Sequence, residues 1–239
     1  MRAEVKGMAS LVLLCCCTGA PRSHLAETPR ADENLELLAL SVSGTVVARQ
    51  DIYDRVVHDL SAIRAFHPEV RDIAYRPRDG GKSLILGVDA ATSAAIDAGT
   101  YHDWDGLNAR WHLVERGYLI ESAHVLLLEF PGIYDMGAVG QDYAGLRGVT
   151  CAEPNIIGGD GSTICLTLEG DWYRYVFDRA TGDCPAGCTI HHEFGFSTGG
   201  AGAINFEAEW DSTTRAVLPD FIRRFGLRAG TSCKWSRGR

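Results

Sequence analysis

The residue types most able to do chemistry lie together in the last quarter of the chain, in Cys184-Pro-Ala-Gly-Cys188-Thr-Ile-His191-His192-Glu193. Cysteine and histidine at such spacing can hold zinc. Two cysteines four apart, with Pro and Gly between them to bend the chain, can also close on each other. Residues 188–198 read as a strand, and alternation then separates the two histidines. Ile190, His192, Phe194 and Phe196 share one face; His191, Glu193 and Ser197 share the other. His192 thus belongs to an apolar face, as a satisfied core or interface histidine. His191 with Glu193 could form half of a metal site. The run His192-Glu193-x-x-Phe196 breaks the metalloprotease pattern H-E-x-x-H at its last position. A structural disulfide beside a polar strand face is therefore favoured over a metal centre, and no cofactor is expected.

Other candidate chemistries fail on spacing. Asp103-Trp-Asp105-Gly106-Leu-Asn108 gathers oxygen ligands as calcium loops do, but its Gly comes too early and position twelve is Val114. A capped turn opening a helix fits better. The runs at Gly158–Thr163, Gly199–Gly202 and Gly80–Ser83 lack the complete phosphate-loop pattern and read as turns. No G-x-S-x-G elbow is present. Tyr173, Tyr175 and Phe177 alternate on a strand, which favours aromatic cross-strand pairing. On the opposite face, Trp172 is a candidate binding residue. Asp160 and Asp183 are the carboxylates that could join His191 and Glu193 in a site.

The cysteines must be read with the compartment. Arg2 and Lys6 precede a short apolar run from Met8 to Cys17, the layout of a secretory signal. The run is well short of the ~20 residues needed to span a bilayer. Leu13-Leu14-Cys15-Cys16-Cys17 followed by Thr-Gly-Ala resembles a bacterial lipoprotein signal, with Cys17 as the lipidated residue; cleavage after Ala20 is the rival. Residues 1–17 are then a signal, 18–35 a polar linker and 36–239 one domain. Export permits disulfides. Cys184–Cys188 closes locally, and a Cys151–Cys165 bridge would staple a hairpin base, with Cys233 left over. The chain has a net charge of −8, and without residues 1–17 it is 21 − 30 = −9. An acidic domain with no basic stripe is a poor nucleic-acid binder. Membrane contact is expected through the N-terminal lipid only.

The elements that must position these residues follow from periodicity. Leu35–Val47 reads as a first strand, and Asp51 as the cap of a helix running to Ala65. Residues 71–77 and 83–89 read as a hairpin around Asp79-Gly80-Gly81. Short helices follow over Ala90–Ala98 and Leu107–His112. His124–Phe130 is a strand, Ile133–Leu146 contains a helix, and 149–155 with 162–170 form a second hairpin. Strand, helix and hairpin thus occur twice, as two βαββ-like units on a largely antiparallel sheet. An aromatic hairpin (171–180 with 188–198), a short strand at Asn205–Trp210 and a C-terminal helix from Asp211 or Ser212 to Phe225 complete an α+β fold.

Two resemblances attach to these segments. Trp172-Tyr-x-Tyr-x-Phe177 followed by Gly182-Asp-Cys-Pro-Ala-Gly-Cys188 resembles a group of uncharacterised exported bacterial proteins. That resemblance covers most of the expected domain; it implies export and a bacterial source, and no activity. Val125–Phe130, the following helix, and Val149-Thr-Cys-Ala-Glu153-Pro154-Asn155 are similar to subtilisin-type propeptides and their inhibitor relatives. Those place a strand, a helix and a V-x-x-x-E-P-N strand in this order. The similarity spans about 30 residues, and the chain departs from it in carrying a Cys inside the last strand and in continuing beyond it. The expectation is a non-catalytic exported protein that binds an unknown protein or small ligand, protease-inhibitor-like in character. The alternative is a metal-dependent hydrolase built on His191 and Glu193.

Overall fold

Leu35, Leu38, Ala39 and Val42 recur at helical spacing, and Leu37 and Leu40 face the other way. A segment apolar on both sides is a helix only where both sides are buried. That is its setting in the computed structural model, which describes residues 33–156, 161–184, 187–200 and 202–225. Residues Glu33–Ser43 form helix α1, not the expected first strand. Its Leu35–Leu38–Ala39 side enters one hydrophobic core. Leu37 and Leu40 pack with Ile133 on the other side. Helix α1 thus takes in residues 33–35 of the expected linker; residues 18–32, the signal region and Cys17 lie outside the described residues. No helix among the described residues is long and apolar enough to cross a membrane.

Helix α2 (Gln50–Phe66) forms as predicted, burying Ile52, Val56, Leu60 and Ile63. Asp51 is not its cap; it lies in the first turn, paired with Arg49. The segment after it does not pair as a strand. Val70 and Ile73 bury against the core beneath α2, and Arg64 donates to the Ile73 carbonyl. That use of residues 70–73 removes the first expected hairpin.

The remaining strands divide between two four-stranded antiparallel sheets. The class is α+β as expected, with the aromatic hairpin and a C-terminal helix present, but the strands do not share one sheet. The first sheet holds β1 (Asp79–Val88), β2 (Glu115–Ile120), β3 (Val125–Glu129) and β4 (Val149–Ile156). Its order is β2-β3-β1-β4. Helices α3 (Ala90–Asp97) and α4 (Asp105–Trp111) connect β1 to β2, and α5 (Met136–Ala144) connects β3 to β4. This is the βαββαβ order of the ferredoxin-like motif. Asp89 and Asp135 start α3 and α5 by accepting from the backbone N–H of Thr92 and Ala138. Leu84, Leu86, Leu126 and Leu128 face these helices.

The second sheet is a meander of β5 (Thr163–Glu169), β6 (Trp172–Thr181), β7 (Ile190–Thr198) and β8 (Ile204–Asp211). β4 and β5 thus belong to different sheets and make no hairpin. Tyr175, Phe177, Phe194 and Phe196 face α1 and α2. Cys165 and Val176 face α6 (Asp220–Arg224) on the opposite side, packing with Ile222. Pro219 is the residue before α6, so the helix starts after the proline; Asp211 instead closes a turn by accepting from the Thr213 N–H.

One polar group pins α2 to the second sheet. Asp59 shares the α2 stripe of Val56 and Ile63 and is buried. Its carboxylate accepts from Arg55 Nε at 2.8 Å, from the Tyr175 hydroxyl at 3.1 Å and from the Thr198 hydroxyl. Arg55 also reaches the Gly199 carbonyl and lies over the Tyr173 ring.

Candidate functional site

The hairpin β6–β7 sets the geometry of the histidine cluster. Thr181 pairs with Ile190, so Ala180 lies opposite His191 and Asp178 opposite Glu193. The turn between them carries the Cys184–Cys188 disulfide. It needs Gly182, whose φ is +97° and whose added Cβ would meet Thr189 Oγ1 at 2.2 Å. His191, Glu193 and Asp178 therefore converge on one face, as alternation predicts for the first two. That face is not an open polar one: His191 is 3% exposed, Glu193 2% and Asp178 5%. His192, on the other face, is half-buried against the Phe194 ring and within 2.7 Å of Glu209.

His191 Nδ1 lies 2.9 Å from one Asp178 oxygen and 3.1 Å from the other. Its Nε2 lies 3.1 Å from the Cys188 carbonyl oxygen. Both partners are acceptors, so the geometry favours the doubly protonated ring, in which each nitrogen donates. Burial alone would lower its pKa. The Asp178 hydrogen bond and charge, the Cys188 carbonyl and the Glu193 charge outweigh burial and hold the pKa above the ordinary histidine value. Glu193 has the opposite problem. Burial and the Asp178 charge push its carboxyl up to about 7, against the smaller pull of His191. Its Oε2 is buried with no hydrogen-bond partner among the described residues.

This arrangement does not suit a metal centre. A ligating imidazole must offer a lone pair, and both His191 nitrogens are spent on acceptors. Among the described residues no three His, Cys, Asp or Glu side chains are disposed to hold a metal. Asp183 is exposed in the turn before the disulfide, and Asp160 lies outside the described residues. Asp178, which the sequence reading did not single out, is the carboxylate His191 meets. The disulfide loop alone does not reveal it: pairing 184 with 188 would set 178 opposite 194, one residue away from the observed register. Trp172 is 40% exposed, its ring lying against Gly199, where a Cβ would come within 3.1 Å.

The expected Cys151–Cys165 bridge does not form. Cys151 is free and exposed on β4. Cys165 is disulfide-bonded and buried on β5 in the other sheet. Native, unreduced protein is thus expected to take up a maleimide at Cys151, whereas Cys165, Cys184 and Cys188 react only after reduction. Peptide mapping of the labelled chain checks this; an unlabelled Cys151 would mean that it is paired.

The outer face of the first sheet, opposite its helices, is arranged in three rows. Glu115, Glu129 and Ser83 are in register, and Asn155 donates to Ser83 at the end of that row. Gly117, Leu127, Ile85 and Glu153 form the second row. Ile120, Val125, Gly87 and Cys151 form the third. Ile85, Val125 and Leu127 are half-buried and belong to none of the hydrophobic clusters of the described residues. Compared with known proteins, the chain matches no family model, no curated protein and no solved structure.

Proposed function

We propose that the chain is a non-catalytic binding protein of protease-inhibitor-like character, exported and anchored by a lipid on Cys17. The observation that carries this reading is the outer face of the first sheet, whose apolar centre belongs to no hydrophobic cluster among the described residues. Its edge strand β4 supports the inhibitor-like character, because it bears Glu153-Pro154-Asn155 after a strand (β3) and a helix (α5) in the order of subtilisin-type propeptides. Export agrees with the disulfide chemistry of Cys165, Cys184 and Cys188, which suits an oxidising compartment. A metal-dependent hydrolase using His191 and Glu193 has less support, since both His191 ring nitrogens face acceptors and the ring is sealed from solvent.

Titrating the full chain into subtilisin-like proteases tests the proposal. Stoichiometric loss of activity in at least one of them is expected at micromolar concentrations. Full activity throughout a panel at that concentration would sink the inhibitor reading.

A further inference from the structure

From the outer face of the first sheet we infer the partner's chemistry: the face docks a single amphipathic helix whose apolar side is flanked by lysine or arginine. This rests on the reading of the chain as a binding protein, but on none of its likeness to protease propeptides. Glu115 and Glu129 lie directly opposite each other on β2 and β3. Like charges in that position weaken a sheet. Both are exposed, as is Glu153 across from Ile85, and none of the three side-chain carboxylates has an ion-pair or hydrogen-bond partner among the described residues. A cation supplied from outside beside Glu115 and Glu129 relieves their repulsion, and a second one can pair with Glu153 at the opposite edge.

The dimensions select a helix. Four strands at a spacing of about 4.8 Å, and three rows at about 6.8 Å, give a patch of roughly 15 Å by 14 Å. That is about a quarter of the ~800 Å² each partner contributes to a standard interface, and close to the 10–12 Å width of one helix with its side chains. Gly117, with nothing within 4 Å of an added Cβ, leaves room for close approach beside Leu127. A second copy of this chain is a poor occupant, because the three rows of this face carry no lysine or arginine to pair with the glutamates.

The test uses the full chain and, as probe, a peptide of about 18 residues patterned as an amphipathic helix of leucine and lysine. Its counterpart carries glutamate in place of lysine. The lysine peptide is expected to bind saturably, shifting the amide resonances of residues 83–87 and 125–129. Its affinity should fall at least tenfold in E115Q/E129Q, and about as much when salt rises from roughly 50 to 300 mM. The glutamate peptide should not bind. Amide spectra of the E115Q/E129Q variant without peptide show whether its fold is intact. Saturable binding mapped to another surface, unchanged affinity in E115Q/E129Q, or no saturable binding would each overturn the inference. Failure to inhibit proteases leaves it standing, so the two readings fail separately.

Discussion

Replacing Asp59 with alanine is expected to destabilise the protein by about 3–5 kcal/mol, the usual cost of breaking a buried ion pair from one side. The size follows from what is left behind. Asp59 is 1% exposed and receives Arg55, Tyr175 and Thr198. Its removal strands the Tyr175 hydroxyl in a site with no solvent contact and leaves the largely covered Arg55 guanidinium without its anion. Tyr175→Phe removes one hydrogen bond and should cost only about 1 kcal/mol. Urea unfolding of the two single variants and the double variant separates these contributions. In D59A/Y175F the total should be less than the sum, because the orphaned hydroxyl is then absent. A loss below about 1 kcal/mol for Asp59→Ala would show that water reaches the site and that α2 is not pinned there.

Asp59 also shows what a sequence can and cannot reveal. It lies at the right spacing from Val56 and Ile63 to share their buried stripe, and a charge on such a stripe is a signal of a partner. The partners Tyr175 and Thr198 lie more than a hundred residues away and are fixed only by the fold. Register hid Asp178 behind His191: symmetric pairing about the 184–188 loop sets 178 opposite 194, and the one-residue difference from the observed alignment moves the side chain to the other face. Elements with one clear pattern were legible: α2 by its apolar stripe, α3 as a short helix over Ala90–Ala98, β6 and β7 by aromatic alternation. Two were not. α1 is apolar on both sides because it sits between two cores, so its period is blurred and its leucines with Val42 read as strand. β2, Glu-Arg-Gly-Tyr-Leu-Ile, is an edge strand with almost every position exposed, and shows no alternation to detect. The division into two sheets was illegible for a third reason. A short turn-like segment between β4 and β5 looks like a hairpin unless the burial of their partners is known.

Stability is expected to fall as pH rises from about 4.5 through 7 and beyond, contrary to the behaviour of an ordinary paired carboxylate. Glu193 is the larger source. Its folded pKa of about 7 stands above the ordinary glutamate value of 4.5. Between those limits the folded state keeps a proton that the unfolded chain has released, so raising the pH favours unfolding. The stabilisation is fully present below 4.5 and is lost as pH passes 7; at 1.36 kcal/mol per pKa unit it is on the order of 3 kcal/mol. His191 acts in the same direction at higher pH, because its folded pKa is also raised: its contribution is complete below 6.5 and disappears as the imidazolium loses its proton. That loss leaves either the Asp178 carboxylate or the Cys188 carbonyl without its donor, so it lowers stability further above neutrality. Glu193→Gln keeps the shape and removes the titration. Thermal melts between pH 4.5 and 8.5 should therefore show a steep decline in the wild type and a flatter curve in Glu193→Gln, with the variant the more stable of the two at pH 8. Parallel curves would mean that Glu193 is charged in the folded protein, which its unpartnered, 2%-exposed carboxyl argues against.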